Sequence, residues 1–186
     1  LLEAMQERQV TIEGETLSLP DPFLVIATQN PIEMEGTFEL AEAQRDRFML
    51  KYEIDLPSRE HETALFERFD SDPQLNADIV DNVVDMETVF QARNDVTDVY
   101  VSEPVRDYIL DVVNQSRSES GIEYGGSPRA TLALLNGGKA RAAIHNREYV
   151  LPDDIKSLVE PVLIHRLVRN TDARLSDRST SEIVHD

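Results

Sequence analysis

A short apolar run at residues 23–27 constrains the fold of this chain more than any other feature of its sequence. Pro20 and Pro22 precede the run, and the polar residues Thr28, Gln29 and Asn30 follow it. An apolar run this short, with such boundaries, is typical of a strand buried on both faces of a parallel sheet. Residues 51–56 predict a second short strand, which Pro57 ends.

The residues around these runs predict the rest of an α/β part. Residues 9–12 and 15–19 alternate polar and apolar side chains on either side of Gly14, which predicts a projecting β-hairpin. Residues 1–7 resemble the last turns of a helix that begins further upstream, and residues 40–50 are predicted to be helical. We therefore interpret residues 1–57 as part of an α/β domain with parallel strands and an inserted hairpin.

Beyond Pro57 the apolar spacing becomes helical. Ser58 is a candidate N-cap, and Ser127-Pro128 has the pattern of a cap followed by a proline at the first helical position. Apolar residues recur at helical spacing in two further stretches: Val105, Ile109, Val112 and Val113, then Ile155, Leu158, Val159, Val162 and Leu163. We interpret residues 58–168 as an all-α domain and residues 169–186 as a polar tail that is truncated.

Three local expectations concern the last two helices. Leu132 and Leu135 are expected to begin the apolar stripe of the helix that starts at Pro128. Gly137-Gly138 is expected to kink or end that helix, because each glycine costs about 1 kcal/mol relative to alanine. Leu151 stands where a capping hydroxyl is expected before Pro152.

The charge of the chain limits its partners. Its 36 acidic and 18 basic residues give a formal net charge of -18 and a sequence pI near 4.5. Direct nucleic-acid binding is not expected, because it requires basic patches that release counterions. Lysine occurs only at Lys51, Lys139 and Lys156, and such acid-rich, lysine-poor surfaces resemble those of halophilic archaea, although an ordinary acidic bacterial protein is the alternative.

Cysteine and long apolar segments are both missing from the sequence. Without cysteine there are no disulfides, thiolate metal sites or cysteine nucleophiles. No window approaches the roughly 20 apolar residues of a membrane span, so no membrane insertion is expected. These features favour a soluble, cytoplasmic protein.

Asn30 is the first candidate functional residue. It follows the predicted strand at residues 23–27, and the carboxyl edge of a parallel sheet is where open α/β folds bind ligands. An amide there can orient an attacking water or contact a γ-phosphate. The alternative is that Asn30 only closes an Asx-turn before Pro31.

Arg45 and Arg47 are the second candidates. They lie on a predicted helix that leads into the strand at residues 51–56, and an arginine at such an edge can act as an arginine finger in a neighbouring subunit's site. The alternative is a salt-bridged arginine on a solvated face, since 36 acidic residues are available.

Arg129 is the third candidate. It directly follows Pro128 in the first turn of a predicted helix, where free backbone N–H groups and the helix dipole favour an anion. A phosphate sensor fits this position. A helix start whose arginine pairs with an acidic residue is the alternative.

Together and in this order, these signals resemble the MoxR family of AAA+ ATPases. The similar stretches are residues 1–12, 27–31, 42–48 and 126–131, and the resemblance extends to about residue 168. It implies a hairpin inserted before sensor 1, with Asn30 as sensor 1, Arg47 as the arginine finger and Arg129 as sensor 2 in a helical lid. Arg45 stands where the family usually has an apolar residue, which leaves open whether Arg45 or Arg47 is the finger.

The resemblance also implies a cofactor, an assembly and partners. A MoxR-like protein would use ATP and Mg²⁺ in a homo-oligomeric ring, expected to be a hexamer, and would remodel client proteins, with von Willebrand A-domain proteins as suggested partners. A magnesium-chelatase-type AAA+ subunit is the alternative enzyme. A non-catalytic lid or interaction module is the alternative without enzymatic activity.

The sequence has no phosphate loop. That motif requires G-x-x-x-x-G-K-[ST], but Lys139 is followed by Ala140, and the glycines at Gly121 and Gly126 are followed by Ser127 where lysine is required. No apolar strand ends in an Asp-Glu pair, and no metal site is predicted. The phosphate loop and the strand that ends in the Asp-Glu pair are both expected upstream of Leu1. This chain alone is therefore predicted not to hydrolyse ATP.

Overall fold

The computed structural model describes residues 2–29, 40–71 and 80–185. Within them, the elements of the first part are α1 (Leu2–Glu7), β1 (Gln9–Ile12), β2 (Glu15–Ser18), α2 (Glu42–Arg45) and α3 (Arg59–Ser71). The second part contains α4 (Met86–Asp98), α5 (Glu103–Ser118), β3 (Ile122–Tyr124), α6 (Pro128–Ile144), α7 (Pro152–Leu163), β4 (Val168–Arg169), α8 (Thr171–Leu175) and α9 (Thr180–His185).

The predicted hairpin is confirmed. Strands β1 and β2 pair antiparallel, with Gln9 opposite Ser18 and Ile12 opposite Glu15. Glu3 on α1 holds the base of the hairpin, because its carboxylate accepts hydrogen bonds from the Thr11 hydroxyl at 2.6 Å and from the Thr11 N–H at 3.2 Å. The hairpin itself is largely exposed, as expected for a projecting insertion.

The two predicted parallel strands are absent from the described residues. Residues 23–27 and 51–56 have no regular secondary structure, and Leu24 and Ile54 are 78% and 96% exposed. A buried parallel strand takes its hydrogen bonds from neighbours on both sides. The described part of this chain places no strand beside either segment, so both predictions are wrong for this structure.

Helices α5, α6 and α7 enclose the hydrophobic core. The predicted apolar spacing is confirmed in two of them: Val105, Ile109 and Val113 of α5 and Ile155 and Leu158 of α7 are buried. Helix α3 also begins at the predicted cap, where the His61 N–H donates to the Ser58 hydroxyl at 3.3 Å.

The buried face of α6 differs in part from the prediction, since Leu135 packs against the core as expected but Leu132 does not. Leu132 is 57% exposed, and the core side carries Leu134 with the small residues Ala130, Ala133, Gly137, Gly138 and Ala142. Small side chains on this face allow α7 to pack closely against α6, and this is the most extensive contact between two helices in the described part of the chain.

The glycine pair neither kinks nor ends α6, which continues to Ile144. A Cβ atom at Gly138 would lie 2.5 Å from Cδ1 of Ile155, and one at Gly137 would lie 2.9 Å from Cδ1 of Leu158. Close packing against α7 therefore requires glycine at both positions, and this packing offsets the low helix propensity of glycine.

Helix α7 begins without a capping hydroxyl, as the sequence indicates. Its first turn is stabilised by Asp154, whose carboxylate accepts the Leu151 N–H at 2.8 Å and a bidentate hydrogen bond from Arg147 at 2.6 and 2.7 Å. Burial by itself raises the pKa of Asp154, but the hydrogen bonds from Arg147 and Leu151 outweigh it and hold this pKa below its ordinary value.

The helical part also contains a small sheet. Strands β3 and β4 pair antiparallel with an irregular register, so this part is not all-α as predicted. After β4, Ala173 of α8 and Ile183 of α9 are buried in the same core as α5 to α7. None of the helices in residues 2–29, 40–71 and 80–185 is both long and apolar enough to span a lipid bilayer.

Candidate functional site

The start of α6 is held rigidly by the loop before it. The Gly126 N–H donates to the Ser116 hydroxyl at 3.0 Å, and Nε of Arg117 donates to the Gly126 carbonyl at 2.8 Å. A Cβ atom at Gly125 would lie 2.5 Å from the Arg117 Cα. Only glycine permits this close approach of the loop to the end of α5, which fixes where α6 begins.

Ser127 and Pro128 begin α6 as the sequence predicts. The Ser127 hydroxyl accepts the Arg129 N–H at 3.1 Å, and Pro128 occupies the first helical position. The half-exposed side chain of Arg129 lies beside Asp46, with 3.7 Å between Nε and Oδ2. The Ser127 hydroxyl also donates to both Asp46 oxygens at 2.9 Å.

Arg129 thus pairs with an acidic residue, which is the alternative given for it above, and the anion at this position is a carboxylate of the chain itself. Asp46 lies at the N-terminal end of α6, where the helix dipole and the Ser127 cap favour negative charge. It stands between Arg45 and Arg47 in the sequence. The structure therefore brings the segment of the candidate finger together with the helix of the candidate sensor.

Arg45 lies at the end of a helix that is shorter than expected, and Arg47 lies in the turn after it. Helix α2 spans only Glu42–Arg45 rather than residues 40–50, and a turn follows it. Nε of Arg47 donates to the Ala43 carbonyl at 3.2 Å. Nε of Arg45 and Nη1 of Arg47 are buried atoms without a hydrogen-bond partner in the described part of the chain.

Asn30 lies outside the described residues, so its relation to Arg47 and Arg129 stays a prediction. Thr28 and Gln29, which precede it, are exposed and have no regular secondary structure. Within residues 2–29, 40–71 and 80–185, no group of three or more His, Cys, Asp or Glu side chains could hold a metal ion.

Sequence reasoning missed three residues of this site, namely Asp46, His165 and Arg166. Nε of Arg166 donates to the Asp46 carboxylate at 3.1 Å, and Nε2 of His165 lies 3.0 Å from the Phe48 carbonyl. Both residues directly follow the apolar helix α7 and are buried. A histidine followed by an arginine after an apolar helix was the available signal, since such polar side chains are rarely buried without partners.

The surroundings of His165 keep its ring neutral. A carbonyl only accepts, so Nε2 carries the proton that is donated to Phe48. Nδ1 is buried and has no hydrogen-bond partner among the described residues. Burial lowers the pKa of His165 to about 4, and the positive charges of Arg166 and Lys51 act in the same direction. The Phe48 hydrogen bond and Asp46 oppose this effect less strongly.

The lowered pKa of His165 predicts that the free energy of unfolding decreases in acid. Below pH 6.5 the unfolded chain binds a proton at this ring that the folded chain does not bind until about pH 4. Above pH 6.5 the ring is neutral in both states and does not lower the free energy of unfolding. As the pH falls from 6.5 to 4, the free energy of unfolding decreases by about 3 kcal/mol. Urea titrations across this range measure it.

His165→Gln keeps a donor for the Phe48 carbonyl but does not titrate, so we expect it to flatten the profile between pH 6.5 and 4. His61→Gln is the matched control, because that ring is exposed on α3. An unchanged profile in His165→Gln would show that His165 is not the titrating group.

Two families match separate parts of the chain. Residues 1–50 match the family described as "ATPase family associated with various cellular activities (AAA)", and residues 114–186 match the family described as "AAA lid domain". The first match contains Arg45, Asp46 and Arg47, and the second contains Arg129 and Arg166. The contacts of Asp46 therefore join the two matched regions.

Individual relatives agree with these matches. The chain is 36% identical to the uncharacterized protein YeaC of Bacillus subtilis, covering 100% of this chain and 58% of that protein. It is 38% identical to the chaperone MoxR1 of Mycobacterium tuberculosis, covering 99% and 50%. A crystal structure of a candidate ATPase from Cytophaga hutchinsonii superposes with a TM-score of 0.89 at 40% identity, covering 99% and 58%.

A more distant relative corresponds to the alternative enzyme. The chain is 29% identical to a homologue of the magnesium-chelatase subunit ChlI from Methanocaldococcus jannaschii, over 84% of this chain and 42% of that protein. Identity and coverage are both higher for the chaperone MoxR1. The chain spans about half the length of the relatives it matches, and it belongs to the MoxR-like AAA+ ATPases.

Proposed function

We propose that this chain supplies the sensor and lid parts of a longer AAA+ ATPase that hydrolyses ATP within a ring. One observation carries the proposal: Asp46, between Arg45 and Arg47, contacts both Ser127 and Arg129 at the start of α6. The candidate finger segment and the candidate sensor helix thus lie at one place in the fold, although 81 residues separate Asp46 from Ser127.

The side chains at this place suit an anionic ligand. Arg45 and Arg47 each present a buried guanidinium nitrogen that has no partner within the described residues. Arg129 is half-exposed, and its contact with Asp46, at 3.7 Å, is long for a hydrogen bond. Arg45 and Arg47 would have to turn these buried nitrogens outwards to bind phosphate oxygens, but the nitrogens give up no short hydrogen bond when they do so.

In this proposal each arginine has its own role. Arg47 crosses the subunit interface and stabilises the negative charge of the transferring phosphoryl group, as arginine fingers do. Arg129 contacts the γ-phosphate and transmits its presence to the lid, and Asn30 orients the attacking water in its own subunit. ATP, when bound, supplies the phosphoryl group whose transfer to water drives the conformational cycle.

The assembly and the partners follow from the family. We propose a homo-oligomeric ring, a hexamer, in the cytoplasm, whose ATP-driven movements remodel client proteins such as von Willebrand A-domain proteins. The relative named chaperone MoxR1 supports a chaperone-like role. Mg²⁺ would accompany the nucleotide, and no step of the proposal assigns it to a described residue.

The ATPase activity is tested by comparing two proteins. We expect the chain extended by its native upstream sequence to the length of its relatives to hydrolyse ATP, whereas residues 1–186 alone show no turnover above background. Failure of the extended protein to bind or hydrolyse ATP would contradict the proposal and favour a non-catalytic interaction module. Turnover by residues 1–186 alone would contradict the expected need for a phosphate loop.

The magnesium-chelatase alternative is kept because of the ChlI homologue. The same extended protein distinguishes the two, since a chelatase subunit would support ATP-dependent insertion of Mg²⁺ into a porphyrin when supplied with the other chelatase subunits. We expect no such insertion.

A further inference from the structure

The buried guanidinium of Arg166 connects the lid to the turn that carries Arg47. Its side chain is 2% exposed. Nη2 donates to the carbonyls of Phe48 at 2.5 Å and Asp46 at 3.3 Å, and Nη1 donates to the carbonyls of Met49 at 3.1 Å and Val162. One side chain after α7 therefore binds the backbone on both sides of Arg47.

Asp46 completes this connection with its side chain. Its carboxylate, 23% exposed, accepts Nε of Arg166 at 3.1 Å and the Ser127 hydroxyl at 2.9 Å. The same residue is therefore tied to the end of α7 and to the start of α6. A buried charge needs such a partner, because removing one member leaves the other without compensation.

Two further contacts fix the same turn. The Phe48 carbonyl lies 3.0 Å from Nε2 of His165, and the Lys51 N–H donates to the Pro161 carbonyl at 2.9 Å. Apart from the Arg166–Val162 hydrogen bond, each of these contacts joins residues 46–51 to α6, to α7 or to the residues after α7. Residues 23–27 and 52–56, by contrast, have no regular secondary structure and are largely exposed.

We propose that Asp46 and Arg166 form a clamp that makes the turn of Arg47 move with the lid, so that the position of the lid sets the reach of Arg47 towards the neighbouring subunit. Asp46 and Arg166 are positioning residues in this scheme, since they act through Arg47. The inference rests on the proposed role of Arg47 as a finger. A ligand that shifts α6 through Arg129 would then also shift Arg47, which couples the two sites of one subunit.

The clamp is tested first in this chain, without ATP. Asp46→Asn removes the negative charge. Arg166→Lys keeps the positive charge, but a single ammonium group cannot donate to several carbonyls at once as the planar guanidinium does. We expect amide hydrogen exchange at Arg47, Phe48 and Lys51 to become about tenfold faster or more in both variants. Asp154→Asn is the matched control, because it weakens the ion pair between Arg147 and Asp154. Exchange at the amides of Arg47, Phe48 and Lys51 should then stay unchanged relative to exchange at core amides.

The positioning role is tested in the extended protein. We expect Asp46→Asn and Arg166→Lys to lower kcat about tenfold or more while the KM for ATP changes little, since substrate binding does not require the finger. Asp154→Asn should lower stability but leave kcat unchanged. An equal loss of kcat in Asp154→Asn would indicate general destabilisation and overturn the positioning role.

The remaining outcomes separate the two proposals. Unchanged exchange at Arg47 and Phe48 in both clamp variants would overturn the clamp, whatever the turnover. If exchange is faster but kcat is unchanged, Asp46 and Arg166 only hold the turn in place, and the proposed effect on Arg47 is wrong. Absence of turnover in the extended wild-type protein would overturn the proposed function and the positioning role with it, while the exchange data would still decide whether the clamp holds the turn.

Discussion

Replacing Arg47 by alanine in the extended protein is expected to lower kcat by about a thousandfold or more, while ATP still binds. The expectation follows from the charge that a finger supplies only in the transition state. In the described part of the chain, Nη1 of Arg47 has no hydrogen-bond partner and Nε makes a single local contact of 3.2 Å with the Ala43 carbonyl, so removing the side chain should cost the fold little. Steady-state turnover and nucleotide titration measure the two effects separately.

Arg45→Ala is the matched control for this variant. Arg45 is also half-buried and has a buried Nε without a partner in the described residues, so the two substitutions disturb the fold similarly. We expect Arg45→Ala to retain most of the turnover. If Arg47→Ala turns over normally and Arg45→Ala does not, the finger is Arg45, and if both are normal, neither arginine has this role.

Asp154→Ala is expected to destabilise the fold more than the other substitutions proposed above, and should lower the free energy of unfolding by about 3 to 5 kcal/mol. The Asp154 side chain is 4% exposed and accepts hydrogen bonds from Arg147 and from the Leu151 N–H. Its removal leaves the Arg147 charge uncompensated and the first turn of α7 without a cap. Urea unfolding of residues 1–186 measures the loss.

The control for this variant is Glu53→Ala, which breaks the exposed pair between Lys51 and Glu53. An exposed pair contributes about 0 to 1 kcal/mol, so this substitution should change little. Equal effects of the two variants would show that the Asp154 pair does not stabilise the lid. Both are measured at low and high salt, because the net charge of -18 destabilises the folded chain when it is unscreened.

Local patterns in the sequence predicted the features that depend on neighbouring residues. The hairpin at residues 9–19, the cap at Ser58 and the Ser127-Pro128 start of α6 are all confirmed, because each depends on interactions within a few residues. The family resemblance, which rests on such stretches taken together, is also confirmed by the relatives.

Features that depend on distant parts of the chain were harder to predict. Leu132 was expected in the core, but the close approach of α7 favours small residues there, and Gly137 and Gly138 continue the helix for the same reason. Residues 23–27 were expected in a sheet whose other strands the described residues do not contain. Arg166 was missed because 120 residues separate it from Asp46, and nothing in the local sequence of either residue indicates the other.

The most direct test of the account mixes two inactive forms of the extended protein. One form carries Arg47→Ala, and the other has a disabled phosphate loop but keeps Arg47. Subunits in a ring meet head to tail, so random mixing should place an intact site next to an intact finger at about a quarter of the interfaces. We predict that ATP turnover, absent from each form alone, reappears on mixing. A mixture as inactive as its components would contradict the claim that Arg47 acts across the subunit interface.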